Sequence, residues 1–98
     1  MASTKEYLYY VLDLLKEFND ITYKKMMGEY ILYKNGIIFG GIYDDRFLIK
    51  KTNSISNYNL QLEIPYPNAK PMYLIDIEDS KLIKEIIDNE IEELGLKT

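Results

Sequence analysis

The sequence predicts an α+β domain in the order α-β-β-β-β-α: an antiparallel sheet, made of a three-strand meander plus a fourth strand, with the N- and C-terminal helices on one face. Three observations carry this. Apolar residues recur at helical spacing near both ends of the chain, Asn35-Gly36 separates two runs of strand-forming residues, and Asp44-Asp45 precedes a third run.

Ser3 and Glu6 stand at capping-box spacing, and Leu8, Val11, Leu12, Leu15 and Phe18 follow at helical intervals, so residues 4–18 read as an amphipathic helix. Asn19-Asp20 breaks the pattern. Residues 21–28 are mixed in composition and read as a link ending at Gly28, a residue suited to an unusual backbone angle.

Asn-Gly supplies both positive φ angles of a type I′ turn, so residues 29–34 and 37–43 form a hairpin about Asn35 and Gly36. Asp44-Asp45 makes a second tight turn into a strand over 46–50. With two-residue turns, Lys34 faces Ile37 and Tyr43 faces Arg46. One sheet face then holds Ile31, Tyr33, Ile38, Gly40, Ile42, Phe47 and Ile49 and should meet the helices. The other holds Tyr30, Leu32, Lys34, Ile37, Phe39, Gly41, Tyr43, Arg46, Leu48 and Lys50, with more aromatic surface than a solvated face needs. Gly40-Gly41 inside a strand implies a close approach of another element, or a bulge that would shift this register by one residue.

Residues 52–70 are rich in Asn, Ser and Pro and read as loop, with room for a short helix or edge strand. Residues 72–76 form the fourth strand. Asp79 or Ser80 caps a final helix with apolar positions Ile83, Ile86, Ile87, Ile91 and Leu94, and Gly95 fits its stop. Glu90, Glu92 and Glu93 oppose the macrodipole there, so the last turn is expected to fray unless packing holds it.

A chain of 98 residues, 47% hydrophobic and 29% charged, has the composition of one packed domain. No repeat or boundary divides it, and 1–98 reads as a single domain. The absence of Cys and His from the sequence removes disulfides, thiolate or imidazole metal sites and histidine-based acid–base catalysis. Met1-Ala2-Ser3-Thr4-Lys5-Glu6 does not resemble a secretory start, and no apolar run nears the roughly 20 residues that span a bilayer. A cytoplasmic location is expected. The net charge of −4 disfavours direct nucleic-acid binding, which draws on clustered Lys and Arg.

The segment Tyr23-Lys24-Lys25-Met26-Met27-Gly28-Glu29-Tyr30, the Asn-Gly hairpin, Gly40-Gly41-Ile42-Tyr43-Asp44 and Pro65-Tyr66-Pro67-Asn68-Ala69-Lys70-Pro71-Met72 together resemble the N-terminal domain of the TfoX/Sxy family of bacterial competence regulators. The likeness covers nearly the whole chain, and the basic-Met-aromatic-Gly element is its most specific part. Met27 stands where the family often has an aromatic residue. The resemblance implies an α-β-β-β-β-α fold related to secretion chaperones and a regulatory role in transcription. The competence regulators carry a separate C-terminal helical domain for which these 98 residues leave no room.

The candidate chemistry is sparse. Asp44-Asp45 with Asp76, Glu78 and Asp79 fit no calcium-loop spacing, and Asp is an ordinary turn and cap residue, so neither a metal nor a catalytic pair is assigned. Lys24 and Lys25 beside Met26 and Met27 offer flexible thioethers next to positive charge, an adaptable contact surface whose alternative reading is core methionines and solvated lysines. Tyr30, Phe39, Tyr43 and Arg46 extend the candidate partner surface, either as a homodimer face or as a face covered by the 52–70 loop. Gly28, Asn35, Gly36, Gly40 and Gly41 are backbone requirements. The expected function is a non-enzymatic adaptor that binds a protein, with the transcription machinery as the partner class the resemblance implies, without a cofactor; the alternative is a small-molecule-binding module.

Overall fold

The computed structural model describes residues 2–96; Met1, Lys97 and Thr98, which the single-domain expectation includes, lie outside them. Helix α1 (Lys5–Leu14) leads into strands β1 (Ile21–Met26), β2 (Glu29–Lys34), β3 (Ile37–Ile42) and β4 (Phe47–Ile49). A 3-10 helix (Asn53–Tyr58), β5 (Leu62–Glu63), β6 (Met72–Leu74) and helix α2 (Ser80–Leu96) complete the chain. The strands form one antiparallel sheet in the order β1-β2-β3-β4-β6-β5. The α+β arrangement is therefore as expected, but the sheet has six strands rather than four. β5 is the short edge strand for which the 52–70 loop had room, while β1 replaces the expected link.

Three successive two-residue turns set the meander. Met27-Gly28 has φ of 52° and 83°, Asn35-Gly36 has 49° and 79°, and Asp44-Asp45 has 53° and 54°. Paired positive angles match the right-handed twist of the flanking strands. Tyr43 and Arg46 exchange both backbone hydrogen bonds across the third turn, in the expected register.

The β2–β3 register slips at Leu32/Tyr33, where Leu32 faces Gly40 and Tyr33 faces Ile38, leaving Phe39 as the extra residue. This bulge corrects the two faces. Tyr30, Leu32, Phe39, Ile42, Phe47 and Ile49 join Leu8, Val11, Leu14 and Leu15 of the N-terminal segment and Ile83, Ile86 and Ile87 of α2 in one buried core. Ile31, Tyr33 and Ile38 lie outside that core, and Ile38 is exposed. Because the core unites both helices with one set of strand residues, the helices share a single sheet face.

The glycine pair is explained by close approach. A Cβ on Gly40 would collide with the Leu48 carbonyl oxygen and come within 2.9 Å of Ile49 Cα. A Cβ on Gly41 would lie 2.7 Å from Tyr30 O and 2.8 Å from the Tyr43 ring.

The helix caps differ from expectation in detail. Thr4 caps α1 by accepting from Tyr7 N, while Ser3 Oγ turns away to donate to Glu29 Oε1 at 2.6 Å. Asp79 caps α2, its Oδ1 accepting from Lys81 N and Leu82 N. Gly95 lies inside α2, which runs on to Leu96. Two of the glutamates expected to loosen this end instead tie it down. Glu93 accepts from Ser54 N at 2.9 Å and Asn53 N at 3.4 Å, and Glu90 accepts from Lys50 N at 2.9 Å.

Candidate interaction site

β1 is an edge strand, and apart from its first residue it is exposed throughout. Its pairing register places Lys24 opposite Ile31, Lys25 opposite Tyr30 and Met26 opposite Glu29. Asn35 N donates to Asp20 O, so Asp20 and Asn35 form a hydrogen-bonded pair. Such pairs alternate along an antiparallel ladder. The bonded pairs are therefore those at Thr22, Lys24 and Met26, and the N–H and C=O groups of Ile21, Tyr23 and Lys25 point to the open edge.

Directly opposed residues share a sheet face. Tyr23 and Lys25 accordingly stand on the helix-bearing side, where the Tyr23 ring meets Tyr30 edge-on at 5.9 Å, while Lys24 and Met26 stand on the outer side. The sequence motif is thus divided between two faces but gathered at one edge. Neither methionine fills the core: Met26 is 47% exposed, and Met27, at the hairpin tip, is 97% exposed. A non-glycine residue with positive φ is uncommon, and Met27 holds that angle while its thioether projects into solvent.

The hairpin is anchored from behind. Ser3 N donates to Gly28 O at 3.0 Å, Glu29 Oε2 accepts from Asp44 N at 3.0 Å, and Asp45 N donates to Ser3 Oγ at 3.0 Å. Asp45 Oδ1 in turn accepts from Thr4 N at 2.8 Å. The first residues of the chain thereby staple the β1–β2 turn to the β3–β4 turn. Asp44 and Asp45 serve this junction, and Asp79 its helix cap; among the described residues no three acidic side chains gather as metal ligands would.

Other members of the expected partner surface are placed differently. Tyr30 and Phe39 are 3% and 0% exposed, because the bulge turns them into the core, and they offer no face to a second copy. Arg46 is engaged within the chain: Nε donates to Tyr43 O, one terminal nitrogen donates to Glu63 Oε1 at 2.8 Å and Ile64 O at 3.1 Å, and the other donates to Pro65 O at 3.1 Å. It clamps the segment after β5 onto the β3–β4 turn. Tyr43 is half-buried beneath that segment, its ring 6.0 Å from that of Tyr66. Part of the outer face is thus covered by the loop, one of the two coverings expected.

Two features have only weak signatures in the sequence. Ile21-Thr22-Tyr23 carries the β-branched and aromatic signal of a strand, but the lysines that follow masked it. Glu90 lies three residues after Ile87 and four after Ile86, on the apolar stripe of α2, and is fully buried. Burial pushes its carboxyl up to about 9, against the smaller opposing effects of the Lys50 backbone N–H and the Lys50 charge.

The model of the TfoX N-terminal domain family matches residues 13–72 of this chain. The chain is also 28% identical over 91 residues to the "Uncharacterized 12.7 kDa protein in trpE 5′ region" of Spirochaeta aurantia, a match covering 89% of this chain and 79% of that protein.

Proposed function

The chain belongs to the TfoX N-terminal domain family, and from that premise we propose that it is a non-enzymatic regulatory domain acting through protein–protein interaction at the free edge of β1. The supporting observation is the edge itself: six residues long, exposed from Thr22 to Met26, with outward backbone groups at Ile21, Tyr23 and Lys25. An extended peptide adds to such an edge through main-chain hydrogen bonds, and the side chains that flank it set specificity. Lys24 and Lys25 select an acidic segment, while Met26 and Met27 supply contacts that adapt to the partner's shape. The same lysines disfavour self-pairing of two β1 edges, since they would bring four ammonium groups to one seam.

The partner class implied by the family is a component of the transcription machinery, reached in the cytoplasm. Among the described residues no helix is long and apolar enough to cross a membrane. The net charge of −4 favours a protein partner over nucleic acid. Hydrogen exchange of the captured complex tests the proposed mode. Partner addition protects the amides of Tyr23 and Lys25; a complex that leaves both exchanging as in the free chain rejects edge addition.

A further inference from the structure

On the outer face, away from the β1 edge, a groove of about 590 Å³ runs between the 65–71 segment and the sheet. Lys50, Lys51 and Lys70 line it together with Tyr43, Tyr66 and Met72. We propose that this groove is a binding site for a small ligand that joins a phosphate group to a planar ring, the mononucleotide class.

Charge selects the phosphate. Three of the chain's 12 basic residues meet at this one groove in a protein of net charge −4, and none of the three is in an ion pair among the described residues. The neighbouring hollow beyond Tyr66 is lined by Glu29 and Asp44 together with Arg46, whose guanidinium is already paired with Glu63. Unpaired positive charge therefore lies in the groove and not in the neighbouring hollow, which suits a compact anion and opposes a long polyanion that would cross acidic surface on leaving it.

Tyr66 and Tyr43 select the ring. Tyr66 is 58% exposed and offers an open aromatic face beside the lysines. Planar bases stack on such faces with little regard to sequence or substituent. Tyr43 is fixed over Gly41, where only a hydrogen leaves room for its ring. Burial first, then the nearby Tyr66 and Glu29, raise the Tyr43 pKa, so its hydroxyl stays protonated at neutral pH.

The wall is built before any ligand arrives. Arg46 holds Ile64 and Pro65 by their carbonyls, and Pro65 is buried. Tyr66 to Ala69 close a turn in which Ala69 N donates to Tyr66 O at 3.1 Å, with Pro67 at its second position and Asn68 at φ 72°. Proline followed by a positive-φ residue is the type II pattern. A pre-formed wall lowers the ordering cost of binding.

The test is NMR titration of the full chain with ATP as probe, with inorganic phosphate and adenosine titrated separately. Shifts at Lys51, Tyr66 and Lys70 should saturate below about 5 mM ATP, with each fragment weaker by roughly tenfold. Lys50→Gln with Lys51→Gln should weaken ATP by at least about tenfold and Tyr66→Leu by roughly threefold or more, while Lys24→Gln with Lys25→Gln leaves it unchanged. All replaced side chains are solvent-facing, and matching amide spectra verify folding. Absence of saturable shifts, equal weakening by the Lys24/Lys25 pair, or tighter binding of a single-stranded oligonucleotide than of ATP overturns the assignment.

Discussion

Glu90 Oε2 accepts the backbone N–H of Lys50 at 2.9 Å within the core, while Glu90 Oε1 is buried with no hydrogen-bond partner among the described residues. A carboxyl in this position is held neutral, and its helix docks on the segment after β4 through an acid that ionises only at alkaline pH.

The pH dependence follows from that elevation. The folded chain keeps the Glu90 proton up to about pH 9, whereas the unfolded chain releases it near the ordinary value of 4.5. Between these values the native state binds more protons, so the contribution is fully present below the lower value and is lost as pH rises towards the upper one. Denaturant unfolding should show Glu90→Gln losing less stability than wild type between pH 5 and pH 8, by on the order of a few kcal/mol. Parallel slopes for the two proteins would contradict a neutral buried Glu90.

Gly40 and Gly95 should respond oppositely to alanine. At Gly40 the new methyl group meets backbone atoms of β4, which cannot turn aside, so Gly40→Ala should cost ~3 kcal/mol or more. At Gly95 no atom of the described residues outside its own stretch of helix lies within 4 Å of the added Cβ, and the helical position should gain about 0.5 kcal/mol. Thermal unfolding of the two variants measures both.

Arg46→Ala should release the segment after β5, with a cost of about 1–2 kcal/mol and faster hydrogen exchange around Leu62 and Glu63. Arg46→Lys should not rescue it, because a single ammonium cannot reach Glu63, Ile64 and Pro65 with the geometry of a planar fork.

Met27 separates stability from recognition. Asparagine adopts positive φ more readily than methionine, so Met27→Asn should stabilise the β1–β2 turn by about 0.5–1 kcal/mol. Partner capture should nevertheless fall, since the exposed thioether is lost. A variant that gains stability and keeps full capture would remove Met27 from the contact surface.

Much of the fold was legible because local chemistry and tertiary packing agree in its turns and helices. Asn35-Gly36 and Asp44-Asp45 adopt the positive angles that their residue types favour, and the apolar stripe of α2 buries where its spacing places it. The β2–β3 register was not readable, because the bulge that turns Phe39 inward sits next to Gly40, where β4 pairs too closely for a side chain, a long-range contact with no local signature beyond the glycines. Of the candidate site, Lys24 to Met27 fell together at one exposed edge, while Tyr30 and Phe39 went to the core with the shifted register. Arg46 reads from the sequence as part of the partner surface, but it is an internal clamp, a role that depends on carbonyl groups 18 and 19 residues further along the chain.

Comparative capture decides whether the β1 edge holds a protein partner. Tagged wild type, Lys24→Glu with Lys25→Glu, and Lys50→Glu with Lys51→Glu, matched for folding by circular dichroism, are each used to capture proteins from native lysate for quantitative mass spectrometry. Edge addition requires a protein with an acidic extended segment that wild type and the Lys50/Lys51 variant recover and the Lys24/Lys25 variant does not; equal recovery by all three is incompatible with it.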